Sequence, residues 1–204
     1  MYKQGIAILT FGAFVSLMTL FIHDEREKAP VPIVEPVTAT INTRRPPQEP
    51  MYLESVNIDP VLQNWIMEYC WNHGLSPFLV MAMIERESDC DANCVTITPD
   101  EESYGLMQIQ PRWHQDRMDK LGITDLKDPR QNIITGVDYL LEMFEKNPEA
   151  EWALNAYNGG EGYANRMMEK GVTTDYSAEI LEREKELCEE WERGGEPQER
   201  SDKE

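Results

Sequence analysis

Basic residues are scarce in this 204-residue chain: 19 Lys and Arg face 38 Asp and Glu, a net charge of −19. Such a field repels phosphate backbones and excludes sequence-independent nucleic-acid binding. Histidine is scarcer still. His23, His73 and His114 are isolated from one another, no ligand pair has finger-like spacing, and no metal is expected. No cysteine precedes Cys70, which removes lipoprotein processing. Strand signals are limited to Val95-Thr96-Ile97-Thr98, so a mainly helical fold with little or no sheet is expected. There is no internal repeat, and the length leaves room for one ordinary domain with extensions rather than a large multidomain enzyme.

What is present divides the chain. Gly5 to Ile22 carries no charge, and as a helix these eighteen residues extend about 27 Å, close to a bilayer core. The run ends directly in His23-Asp24-Glu25-Arg26-Glu27-Lys28 without an obvious small-x-small cleavage site, which favours an uncleaved signal anchor over a cleaved signal peptide. With Lys3 before it and a net acidic flank after it, a single-pass membrane helix (1–28) would place the rest of the chain outside the cytoplasm. Residues 29–50 hold six prolines and read as a linker, able to reach on the order of 70 Å as polyproline II. Residues 51–181 form the expected folded domain. The end, 182–204, reads as an acidic helix terminus and solvated tail, since 179–204 contains eleven acidic against five basic side chains.

Within the domain, Asp59-Pro60, Ser76-Pro77, Asp128-Pro129 and Asn147-Pro148 each look like a cap followed by proline at a helix start. Ser177 is expected to cap a last amphipathic helix. The helix opened by Ser76-Pro77 is apolar on every side through Ile84 and should be the buried central one. Glu85-Arg86-Glu87-Ser88 follows at once. On a helix Glu87 lies over Met83 and Ile84, where desolvation would raise its pKa and keep a general acid protonated near neutral pH. Glu85 is about 200° away around the helix, so at most one of the two faces a given cleft. Cys90 and Cys94 share one loop-like stretch and are candidates for a disulfide; Cys70 and Cys188 sit on or beside apolar faces, as buried thiols or a second pair.

The motifs that follow Glu87-Ser88 are Ser103-Tyr104-Gly105-Leu106-Met107-Gln108-Ile109-Gln110-Pro111, then Gly136-Val137-Asp138-Tyr139-Leu140, then Ala156-Tyr157-Asn158-Gly159-Gly160. In this order they strongly resemble the catalytic domain of soluble lytic transglycosylases, which shares the goose-type lysozyme fold. The resemblance runs from about Ile58 to Leu181, and Thr173-x-x-Tyr176 resembles the family's closing segment. It implies a lysozyme-like, mainly α domain with Glu87 as the sole catalytic acid/base. Ser103, Met107 and Gln108 would bind sugar on one side, and Tyr157 and Asn158 would close the cleft from the other. For Met107 core packing is the competing assignment. The family tends to place a serine that orients the glutamate about six residues before the Gly-Leu-Met-Gln run; this chain has Pro99 there, beside Thr98.

The implied reaction is cleavage of the β-1,4 bond between N-acetylmuramic acid and N-acetylglucosamine in peptidoglycan glycan strands, leaving a 1,6-anhydromuramoyl end and requiring no cofactor. Two alternatives stay open. One is a hydrolytic, goose-type muramidase in which Asp100 supplies a second carboxylate; Pro111, where those lysozymes carry another acid, favours the transglycosylase. The other is a non-catalytic wall-binding scaffold of a secretion or conjugation apparatus. A protein partner in a wall-spanning apparatus would suit a tethered enzyme of this kind, but no motif identifies one.

Overall fold

The computed structural model describes residues 52–99 and 101–194. The apolar run of 5–22, the proline-rich segment and Asp100 lie outside these residues. Among the described residues no helix is long and apolar enough to cross a membrane.

In the described residues seven helices and one small hairpin follow one another: α1 (Pro60–Asn72), α2 (Pro77–Ser88), β1 (Val95–Ile97), β2 (Glu102–Tyr104), α3 (Pro111–Leu121), α4 (Pro129–Lys146), α5 (Ala150–Gly159), α6 (Glu161–Lys170) and α7 (Asp175–Gly194). Their starts follow from capping chemistry. Asp59, Ser76 and Asp128 each accept a backbone N–H of the first turn, and proline stands next in all three cases, where its missing N–H is harmless. Two expected starts move. Asn147 accepts the Glu149 amide at 2.9 Å, an Asx turn that delays α5 to Ala150. At α7 Thr174, not Ser177, takes the cap, accepting the Ser177 amide at 3.2 Å. Ser177 is inside the first turn, fully buried and bonded back to Thr174.

The all-apolar helix is central. Every side chain from Phe78 to Ile84 is buried, and α2 packs against both α1 and α7. Burial of such side chains stabilises by roughly 1.5–3 kcal/mol each, so α2 anchors the domain. The long α7 packs along α2 and against α5, and its buried Leu187 lies well past Leu181. Beyond that, the Trp191 ring sits 6.0 Å from Trp71 and 5.8 Å from Phe78. The core therefore extends through the acidic helix end, where Leu187 is buried and Trp191 packs inward.

Ahead of α1, residues 52–58 form a strap held by one buried amide. Gln63 Nε2 donates to the carbonyls of Leu53, Val56 and Ile58, and its Oε1 accepts the Leu53 amide at 2.9 Å. The one sheet among the described residues is the hairpin β1–β2, antiparallel with Thr96 opposite Ser103.

Candidate active site

The last turn of α2 leaves the core at Glu85, and its carboxylates part company. Glu85 points to α7, where Arg183 grips it with two nitrogens, Nε at 2.6 Å and Nη2 at 3.0 Å. Glu87, on the other face, accepts a hydrogen bond of 2.5 Å from Tyr176 Oη in the first turn of α7. Burial raises the Glu87 pKa above the ordinary value of 4.5, although the Tyr176 hydroxyl and the neighbouring Arg86 charge pull it down. Among the described residues no second carboxylate contributes to that balance. Arg86 reaches over Tyr176, its guanidinium 5.7 Å from the ring centroid, and pairs with Glu179 at 2.9 Å. Tyr176 is itself buried, and burial together with the Glu87 charge pushes its phenol well above the usual range, so it remains a donor.

The Gly-Leu-Met-Gln turn is fastened beside this carboxyl from beneath. Ser88 Oγ donates to the Leu106 carbonyl at 2.9 Å. Asn132 of α4 lies fully buried under the turn, donating to the Tyr104 and Leu126 carbonyls and accepting the Met107 amide at 2.8 Å. Gly105 has φ 72°, and a Cβ there would stand 2.6 Å from the Leu126 oxygen, so only glycine fits. Tyr157 Oη donates to the Met107 carbonyl at 2.9 Å, and the Glu87 charge adds to burial in raising the Tyr157 pKa. Glu87, Tyr157, Tyr176 and the turn thus converge.

Beside them opens a cavity of about 660 Å³. Gln108, Tyr157 and Asn158 line it, with α3 and α4 forming the opposite wall through residues such as Trp113, His114 and Tyr139. Glu101 apart, its charged lining residues form a chain of pairs. Arg117 bonds Asp138 and Glu142, and Lys146 bonds Glu142 at 2.5 Å and Glu161 at 2.8 Å.

Of the residues expected to bind sugar, Gln108, Tyr157 and Asn158 share this cavity. Met107 does not: its side chain is 0% exposed and packs on Gly136, so the thioether belongs to the core and only its backbone serves the site. Ser103 is buried in β2 opposite Thr96 and is not among the lining residues. The Gln108 amide is already engaged, accepting from Thr96 Oγ1 at 2.7 Å and donating to the Gly105 carbonyl at 2.9 Å, which ties hairpin to turn. Thr98 bonds Glu101 within the hairpin, and the hydroxyl that reaches Glu87 is that of Tyr176, eighty-nine residues away in sequence. The four cysteines are free thiols. Cys90, expected as a partner of Cys94, accepts instead from the Asn57 backbone of the strap, and burial pushes its pKa up to about 11. Among the described residues no cluster of His, Cys, Asp or Glu is arranged to hold a metal ion.

With the carboxyl, the clamped turn and the tyrosine in place, comparison with known proteins becomes specific. Residues 64–180, more than half of the chain, match the family described as the Transglycosylase SLT domain. The chain belongs to that family. A curated relative, the transglycosylase of Enterobacteria phage PRD1, is 33% identical over 93 residues, which cover 46% of this chain and 32% of the relative. Among solved structures, the lytic transglycosylase Slt of Pseudomonas aeruginosa, determined as an inactive mutant with glutamine in place of a glutamate, is similar in fold at a TM-score of 0.54 and 20% identity. That similarity covers 62% of this chain but 24% of the larger protein. The chain therefore spans about a third or less of these two proteins, and the fold it shares with the Slt structure is the lysozyme-like helical one.

Proposed function

We propose that this chain is a peptidoglycan lytic transglycosylase in which Glu87 is the only acid/base. One observation carries the reading: a desolvated carboxyl, with pKa raised and one oxygen held by Tyr176, converges with the Gly-Leu-Met-Gln turn and Tyr157, and the turn and Tyr157 open onto a saccharide-sized cavity. Tyr176 occupies Oε1, so Oε2 is the oxygen free to carry the transferable proton. That proton passes to the glycosidic oxygen as the bond to muramoyl C1 breaks. The carboxylate left behind takes the proton of the muramoyl C6 hydroxyl while O6 bonds to C1, which closes the 1,6-anhydro ring and restores the acid. One carboxyl suffices because the substrate supplies its own nucleophile, whereas hydrolysis uses a carboxylate pair. Membership of the family and the PRD1 relative's transglycosylase name support the same substrate class. The apolar run of 5–22 and the linker of 29–50 support a single-pass membrane tether with this domain outside the cytoplasm.

The test is mass spectrometry of products released from purified peptidoglycan by the full chain. We expect anhydromuramoyl ends, lost by at least about 10³-fold in Glu87→Gln, while Glu85→Gln, which faces Arg183, retains most activity. Reducing-end muramic acid, ~18 Da heavier by one water, would instead assign a hydrolase with Asp100 as the second carboxylate. Wall binding without product would assign a scaffold.

A further inference from the structure

The α3 wall of the cavity has no part in the chemistry above, yet it is built unlike ordinary surface. Trp113, in the first turn of α3, lines the cavity and is 63% exposed, a large apolar ring left in water at a concave site. The Arg112 guanidinium lies 4.8 Å from its ring centroid. His114 comes next and also lines the cavity. Its ring stands edge-on to Tyr139 at 4.5 Å, and its Nδ1 accepts from Arg117 Nε at 3.4 Å. The imidazole proton therefore resides on Nε2, for which no described residue supplies an acceptor. Burial, with the Arg117 charge, lowers the His114 pKa to about 4, so the ring is neutral in the working range. The cavity's Arg117 and Lys146 are both consumed by carboxylates. A wall with a flat apolar face, a neutral N–H donor and no uncommitted cation suits an uncharged polar ring better than an anion.

We propose that Trp113 and His114 form a saccharide subsite, in which an N-acetylhexosamine ring lies on the Trp113 indole and its acetamido carbonyl accepts the His114 Nε2 proton. Glu87 does not line this cavity, whereas Gln108 and Tyr157 do. The ring held here is thus a neighbour of the one being cleaved, and the subsite acts on glycan affinity and length preference. The inference rests on the glycan-cleaving function proposed above.

The experiment uses the full chain as Glu87→Gln, which binds without turnover, titrated calorimetrically with N-acetylglucosamine oligomers of increasing length and, separately, with a muramoyl stem peptide lacking glycan. Affinity should rise with oligomer length. Adding Trp113→Ala should weaken the longer oligomers by about tenfold, Trp113→Phe should keep most of the affinity, and His114→Phe should lose severalfold. In the chain that retains Glu87, the Trp113→Ala loss should fall on KM for glycan strands rather than on kcat. Equal oligomer affinity with and without the Trp113 ring, or Trp113-dependent binding of the stem peptide alone, overturns the subsite. Trp113-dependent oligomer binding by a chain that releases no wall product would leave the subsite standing and remove the cleavage reading. Cleavage with KM unmoved by Trp113→Ala would do the reverse. Unchanged thermal unfolding of Trp113→Ala, expected for so exposed a ring, separates either result from misfolding.

Discussion

Glu87 is set by two opposed influences, and their balance fixes the pH at which the proposed acid works. Burial lifts its pKa, while the Tyr176 hydroxyl, donating at 2.5 Å, stabilises the carboxylate and lowers it. An acid that must be protonated loses activity as pH rises through its pKa, so the alkaline limb of the rate profile reports this balance. Removing the donor in Tyr176→Phe takes away a lowering influence, and the pKa must move up. The alkaline limb of kcat/KM should therefore shift to higher pH in Tyr176→Phe, even as the rate at the optimum falls through poorer positioning. A limb that moved to lower pH would mean that Tyr176 does not hold the reacting carboxyl.

At the scale of elements, the turn after β2 is shaped by what lies under it. Gly136 of α4 faces Met107 so closely that an added Cβ would stand 2.8 Å from Met107 Cε and 3.0 Å from Met107 Cβ. In an exposed helix interior, replacing glycine by alanine stabilises by roughly 0.5–1 kcal/mol. Here the sign reverses. Gly136→Ala should destabilise by about 1–3 kcal/mol in urea unfolding, because Met107 is fully buried and clamped through its own amide and carbonyl, and overpacking has nowhere to relax. Activity should fall with it, since Tyr157 is bonded to the Met107 carbonyl.

Over the whole molecule, α7 is the element that joins stability to the site. Its first turn delivers Tyr176 to Glu87, its middle pairs Arg183 with Glu85, and its far end buries Leu187 and packs Trp191 on Trp71 and Phe78. Glu190 near that end also accepts hydrogen bonds from Ser55 of the strap. A chain ended after Leu181 keeps Tyr176 but loses the packing that holds the helix down. It should unfold well below the full chain in thermal denaturation and lose activity. Leu187→Ala alone should remove about 2–5 kcal/mol, with Glu87, Tyr157 and Tyr176 untouched in sequence.

The local chemistry of this protein was readable without a fold. Proline-marked caps placed α1, α2 and α4, the seven apolar residues before Glu85 announced a central helix, and the helical period separated Glu87 from Glu85. These are properties of a few consecutive residues, and backbone sterics with burial periodicity dictate them. Whatever depended on a partner distant in sequence was decided by tertiary packing. Met107 turned inward because Gly136 opened room for it, and Ser103 was covered in the hairpin. Cys90 met the strap rather than Cys94, and Thr174 took the cap expected of Ser177. The hydroxyl on Glu87 arrived from α7, with only a tyrosine in a recognisable closing segment to signal it. Spacing along the chain singled out the carboxyl proposed as the acid, but only the packed helices could determine its donor and the turn held beside it, because those are relations between elements that no local pattern encodes.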